Sequence, residues 1–220
     1  LGCRLFSADL QKIKANKITA ILDVTAEFDG LDWSQFEDHI EYLNIPILDH
    51  SVPTSAQLNQ AVNWLHRQVR ANKQVLIHCA MGRGRSVLVL AAYLVCKDKQ
   101  RNFAEVLQQI KQVRKTAGLN KWQLRALEHM LKQGKINIHK VAWIIANPVS
   151  GGGKCQEYSE QIQGELKAYF DLTLKLTTEN ISANTFAKKA RNNGADIIIA
   201  CGGDGTVTEV ASEIVNTDIV

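Results

Sequence analysis

Three times in this chain a short apolar run ends in a glycine-bearing loop and gives way at once to a helical pattern. Residues 74–78 (QVLIH) lead into 79–86 (CAMGRGRS), residues 141–146 (VAWIIA) into 147–154 (NPVSGGGK), and residues 196–200 (DIIIA) into 201–206 (CGGDGT). Short runs without polar alternation describe strands buried on both faces, as in parallel sheets covered by helices. The turn at the C-terminal end of such a strand is where parallel sheets bind ligands, and the N–H groups of the next helix favour anions. The pattern predicts an α/β protein with phosphate-sized loops at its strand ends.

Around these landmarks the chain reads as two halves. In the first, 19–24 (TAILDV) and 44–48 (NIPIL) are strand candidates. Thr54 and Gln57 form a capping-box pair, opening a helix whose apolar face is Leu58, Val62, Leu65 and Val69. Helices follow over about 86–97, 103–114 and 121–132, the last capped by Asn120 and closed before Gly134. Residues 135–140 read as a linker. From 141 the grammar becomes β-α-β-α-β-α, with an alternating strand at 172–176, a helix from Ser182 to Asn193 closed by Gly194, and a last helix beginning at Val207. The expected domains are therefore 1–134 and 141–220.

The 220 residues exceed one typical domain, and 45% hydrophobic content with only three prolines supplies packed cores rather than disorder. A surplus of +4, scattered along the chain, makes no case for a nucleic-acid partner. The longest apolar run, 87–96, is too short to span a bilayer. The five cysteines, Cys3, Cys79, Cys96, Cys155 and Cys201, are odd in number and form no CxxC pair, so reduced thiols in a cytoplasmic setting are expected. Leu1 in place of Met, and Val220 inside an apolar helical pattern, read as the cut ends of a longer polypeptide.

The first glycine loop has a thiol at its head. A cysteine facing inward-pointing N–H groups at a helix N-terminus is held as thiolate and becomes a nucleophile near neutral pH. Arg85 supplies a planar fork for two phosphoryl oxygens, and Gly82 and Gly84 permit close backbone approach. The run from His78 to Ser86 resembles the HCxxGxxR[S/T] signature of protein tyrosine and dual-specificity phosphatases, and the resemblance extends over residues 1–134. It departs from the family at Val87, where Gly is usual, and at Asp23, where Asn is common. The resemblance implies catalytic roles for Cys79 as nucleophile, Arg85 as phosphate clamp, and Asp49 as the acid that protonates the leaving oxygen and then activates water. By the same resemblance Ser86 hydrogen-bonds the thiolate and His78 orients the loop by hydrogen bonding. Ala80, Met81, Gly82, Arg83, Gly84 and Arg85 form the phosphate cradle. Arg83 is either a second cationic contact for a polyanionic headgroup or a solvent-facing side chain. No metal or other cofactor is expected in this half.

The other two loops together resemble the NPxSGxxxK and GGDGT fingerprints of diacylglycerol kinase-like lipid kinases, with Cys201 departing from a frequent Gly. This resemblance covers residues 139–220. It implies a nucleotide site formed by Asn147, Thr177, Gly202, Gly203, Asp204, Gly205 and Thr206, with ATP and Mg2+ as the cofactors of a complete kinase. Any base acting on the lipid hydroxyl would lie beyond Val220, so these 220 residues alone are not expected to transfer phosphate. The implied activity is a phosphomonoester hydrolase working through phosphocysteine, fused to part of a lipid kinase. Its partners would be phosphorylated protein or lipid substrates, with a membrane surface reached through the kinase part. Two alternatives stay open on the residues: a phospholigand-binding module without turnover, and a second half of NAD kinase type.

Overall fold

The computed structural model describes residues 1–2, 9–27, 40–98 and 101–220; Cys3 lies outside them. Two compact units emerge, residues 1–69 with 73–138, and residues 70–72 with 139–220.

The first unit is built on three parallel strands, β1 (Ala20–Asp23), β2 (Glu41–Asn44) and β3 (Val75–His78), in the order β2-β1-β3. β1 is central and buried throughout, which is why its sequence is apolar without alternation. Ala20 and Leu22 face the main core, while Ile21 packs with Ile13 of the short helix α1 (Leu10–Ala15) on the other side. The main core is completed by α2 (Ser55–Arg70), α3 (Arg85–Lys97), α4 (Phe103–Val113) and α5 (Lys121–Lys132). α3 buries residues on all sides over its first turns, as expected of a helix with an apolar run and no acid.

Two helix starts follow their sequence signals. Thr54 and Gln57 exchange hydrogen bonds ahead of α2 (Thr54 N–H to Gln57 Oε1 2.9 Å, Gln57 N–H to Thr54 Oγ1 3.1 Å), and Asn120 with Gln123 closes a full capping box on α5. Three expectations fail. The second strand occupies Glu41–Asn44 rather than 44–48. Pairing with β1 ends there because Pro46 has no N–H and the Ile47 carbonyl is taken by Arg85. Val69 is exposed, so the buried face of α2 runs through Leu58, Ala61, Val62, Trp64, Leu65 and Gln68. Residues 135–138 form no free span: Asn59 and Asn63 of α2 donate to the carbonyls of Lys135 (2.6 Å) and Asn137 (2.9 Å), and Ile136 is buried.

The second unit has its own parallel sheet, β4 (Lys140–Ala146), β5 (Phe170–Leu176) and β6 (Ile197–Cys201), in the order β5-β4-β6. Val141, Trp143 and Ile145 face α7 (Ala183–Asn192) and α8 (Asp204–Ile214), while α6 (Cys155–Leu166) packs against β4 and β5. Ser182 caps α7 through the Thr185 N–H, and Gly194 follows it with φ +72°. α8 starts at Asp204, three positions earlier than the apolar pattern suggests, because Asp204 is a favourable first-turn residue at the positive helix end. Val220 is not helical: its N–H reaches the Asp196 carbonyl (3.1 Å) and its carbonyl accepts from Ile198 (2.8 Å).

Candidate active site

The register of β1 with β3 sets Asp23 beside His78, the residue before Cys79. From there the backbone curls through residues 79–84 and enters α3 at Arg85. At Gly82 (φ +63°) an added Cβ would lie 2.4 Å from the Gly2 carbonyl oxygen, so only glycine fits this bend.

The loop's carbonyls are pulled outward. Arg114, at the C-cap of α4, donates from Nε to the Gly82 carbonyl (2.7 Å) and from Nη2 to that of Met81 (3.4 Å), and the Gly118 N–H holds the Arg83 carbonyl (2.9 Å). In a trans peptide the N–H points opposite to the C=O, so anchoring these three carbonyls turns the next three N–H groups inward. The Gly82 N–H indeed lies 3.2 Å from Cys79 Sγ, and Ser86 Oγ stands 3.5 Å away. Burial pushes the Cys79 thiol up, but the Ser86 hydroxyl and the N–H groups of Ser86, Gly82 and Met81 outweigh it, and the net direction is down.

Arg85 is 2% exposed and fully engaged on one side. Its Nη1 and Nη2 donate to Glu27 Oε2 and Oε1 (2.6 and 2.5 Å), and Nη1 also reaches the Ile47 carbonyl (2.8 Å). Nε lies 3.3 Å from Asp49 Oδ1. The guanidinium holds the Glu27 carboxyl at about 2, well below its ordinary value. Asp49 is exposed and accepts from the His50 N–H (3.0 Å).

Cys79, Ser86, Arg85, Asp49 and the cradle residues 80–84 are thus brought together. Met81 and Arg83 are exposed on its lip, and Ala80 is half-buried. His78 departs from expectation: neither ring nitrogen meets a partner in hydrogen-bonding geometry among the described residues. Its Nδ1 is 3.8 Å from Asp23 Oδ1, and burial, opposed by the Asp23 charge, lowers its pKa. Asp23 itself is satisfied by Thr25 (N–H 2.9 Å, Oγ1 2.7 Å) and the Tyr42 hydroxyl (3.0 Å), forming a buried polar floor behind the loop. Glu27 and Arg114 were not assigned roles from the sequence. Nothing local marks them, since each acts across a long sequence separation.

In the second unit the register aligns Ala146 with Leu176 and with Cys201, so Asn147, Thr177 and Gly202 emerge side by side at one end of the sheet. The N–H groups of Asn147 and Thr177 bond the Cys201 and Ala146 carbonyls (2.8 Å each). Gly151, Gly152 and Gly153 all have positive φ, and a Cβ on any of them would meet nothing within 4 Å, so this turn is open. Gly203 caps α8, whose first turn contains Asp204, Gly205 and Thr206. Gly202 is needed sterically: a Cβ there would sit 2.4 Å from Thr206 Oγ1.

Residues 3–133 match the family model for the dual specificity phosphatase catalytic domain, and residues 141–219 that for the diacylglycerol kinase catalytic domain. The chain is 39% identical over 82 residues to a putative lipid kinase of Streptococcus pneumoniae, covering 37% of this chain and 28% of that protein. It is 26% identical over 133 residues to the phosphatidylglycerophosphate phosphatase PTPMT2 of Arabidopsis thaliana, covering 58% of this chain and 57% of that one. The crystal structure of DUSP15 superposes with a TM-score of 0.54 at 26% identity, over 61% of this chain and 83% of that one. The chain spans less than two thirds of the length of these curated relatives. With a cysteine-headed cradle inside a match that takes in more than half of its residues, the chain belongs to the dual specificity phosphatase family.

Proposed function

We propose that the first unit hydrolyses phosphate monoesters through a phosphocysteine on Cys79. The observation that supports this best is the buried thiol with the Gly82 N–H at 3.2 Å, Ser86 Oγ at 3.5 Å and a buried Arg85 at the start of α3. Binding alone needs neither a thiolate nor an acid, which favours turnover over a phospholigand-binding module. In the first step the thiolate attacks phosphorus, the S–P bond forms and the bond to the leaving oxygen breaks. Asp49 gives that oxygen its proton. In the second step Asp49 takes a proton from water, the water oxygen bonds to phosphorus, and the S–P bond breaks to return the thiolate. Ser86 stabilises the sulfur as it leaves. Arg85 would turn part of its fork from Glu27 to the phosphoryl oxygens, whose charge spreads in the transition state. The substrate class is phosphorylated protein or lipid, and the lipid name of the Arabidopsis relative favours the second.

For the second unit we propose a nucleotide-phosphate site at the Asn147, Thr177 and Gly202 end of the sheet. The open glycine turn and the free N-terminus of α8 fit phosphate groups, with Asp204 available to a magnesium ion carried by the nucleotide. Among the described residues no cluster of His, Cys, Asp or Glu could hold a metal by itself. The test of the main reading is phosphate release from a small aryl phosphate by the wild-type chain and by Cys79→Ser. Measurable release by the serine variant within about tenfold of wild type would remove Cys79 from the chemistry.

A further inference from the structure

Three segments are sewn around the cradle mouth by hydrogen bonds. Arg114 and Gly118 hold the cradle carbonyls, as described above. Asn120 donates from Nδ2 to the His50 carbonyl (3.3 Å), and Gln123 from Nε2 to that of Ser51 (3.1 Å), which ties the start of α5 to residues 48–52. Large apolar side chains stand exposed on all three pieces: Leu48 at 66%, Met81 at 58% and Trp122 at 73%, with Val52 beside them. Stretches 48–52, 81–84 and 114–125 also contain Arg83, Arg114, Lys115, Lys121 and Arg125 but a single acid, Asp49, which faces Arg85. In a chain whose whole surplus is +4, that is a local concentration of positive charge.

Apolar side chains scattered among cations on separate segments line no groove for a peptide or helix. They match an anionic lipid surface, which deforms around individual side chains, accepts Trp at headgroup depth and attracts Lys and Arg. We infer, resting on the phosphatase reading above, that this rim docks the cradle on an anionic bilayer and that the phosphomonoester it takes is a lipid headgroup in that bilayer. The rim belongs to the phosphatase unit and works without any contribution from the kinase-like unit. No helix among the described residues is long and apolar enough to cross a membrane.

The experiment is sedimentation of the 220-residue chain with vesicles of phosphatidylcholine, alone or with one third phosphatidylglycerol, beside Trp122→Ala and the double variant Lys115→Glu/Lys121→Glu. Wild type binds the anionic vesicles, the double variant binds them more than about tenfold more weakly, and Trp122→Ala several-fold more weakly. All three hydrolyse a soluble aryl phosphate alike. Equal vesicle binding by all three proteins overturns the docking rim, as does binding that ignores phosphatidylglycerol. Faster turnover of a soluble phosphopeptide than of phosphatidic acid in the same vesicles assigns the rim to a protein partner and overturns the inference. If the variants lose vesicle binding while wild type hydrolyses nothing, docking stands and the phosphatase reading falls.

Discussion

Glu27 grips both terminal nitrogens of Arg85, 58 positions away in sequence, through hydrogen bonds of 2.6 and 2.5 Å. The two bonds fix the orientation of the guanidinium. Its electrostatic signature is a Glu27 pKa lowered to about 2. A carboxyl depressed by folding stabilises the native state above its unfolded pKa, and that contribution is lost as pH falls through the folded value. Thermal stability should therefore decline between about pH 4.5 and 2 in wild type, and Glu27→Gln should flatten this part of the profile. A set of melting curves across that window checks it.

The Cys79 thiol is held down chiefly by Ser86 against the opposing effect of burial. Ser86→Ala should move the acidic limb of the kcat/KM profile to higher pH, because the thiolate loses its strongest donor. An unmoved limb would take Ser86 out of thiolate stabilisation.

Asp49→Asn should cost about 10²–10⁴-fold in kcat with an alkyl phosphate and far less with an activated aryl phosphate, whose leaving oxygen barely needs a proton. Parallel assays on the two substrates make the comparison. Equal losses would assign proton donation to another group.

Arg114→Gln should lower kcat/KM by about tenfold and shift the acidic limb upward, since freed carbonyls let the inward N–H groups turn away from sulfur. Arg114→Lys should recover part of the loss by bonding the Gly82 carbonyl alone. A purely structural role would lower the melting temperature without moving the limb.

Gly202→Ala should weaken binding of magnesium-ATP by more than about tenfold, because its methyl group would force Thr206 out of the first turn of α8. Calorimetric titration of wild type and variant checks this, with hydrolysis of an aryl phosphate as the control for an intact first unit.

What could be seen in the sequence was what acts locally. The strand-loop-helix at 74–86, the Thr54 capping box and the Asn120 and Ser182 caps depend on residues a few positions apart, and their chemistry shows in the residue types. Glu41–Asn44 escaped because an edge strand is half-exposed and its polar ends carry no β pattern. Glu27 and Arg114 escaped for a different reason. Each is an ordinary charged residue whose meaning comes from a partner that the fold brings from 32 to 58 positions away. His78 shows the reverse case, a residue whose place in the motif was plain but whose ring packs on Asp23 without the expected hydrogen bond.

The strap at residues 135–138 carries a lesson for dissecting this polypeptide. Where the family match closes, at residue 133, the first unit is still unfinished. A chain stopped at Gly134 would leave Asn59 and Asn63 only their acceptors within α2 and unroof the hydrophobic seat of Ile136. Such a truncation exposes apolar surface and invites aggregation, whereas one ending at Ile138 keeps the seam closed. The edge of a family and the edge of a stable body thus differ here by a few residues, and those residues decide whether the excised phosphatase stays in solution.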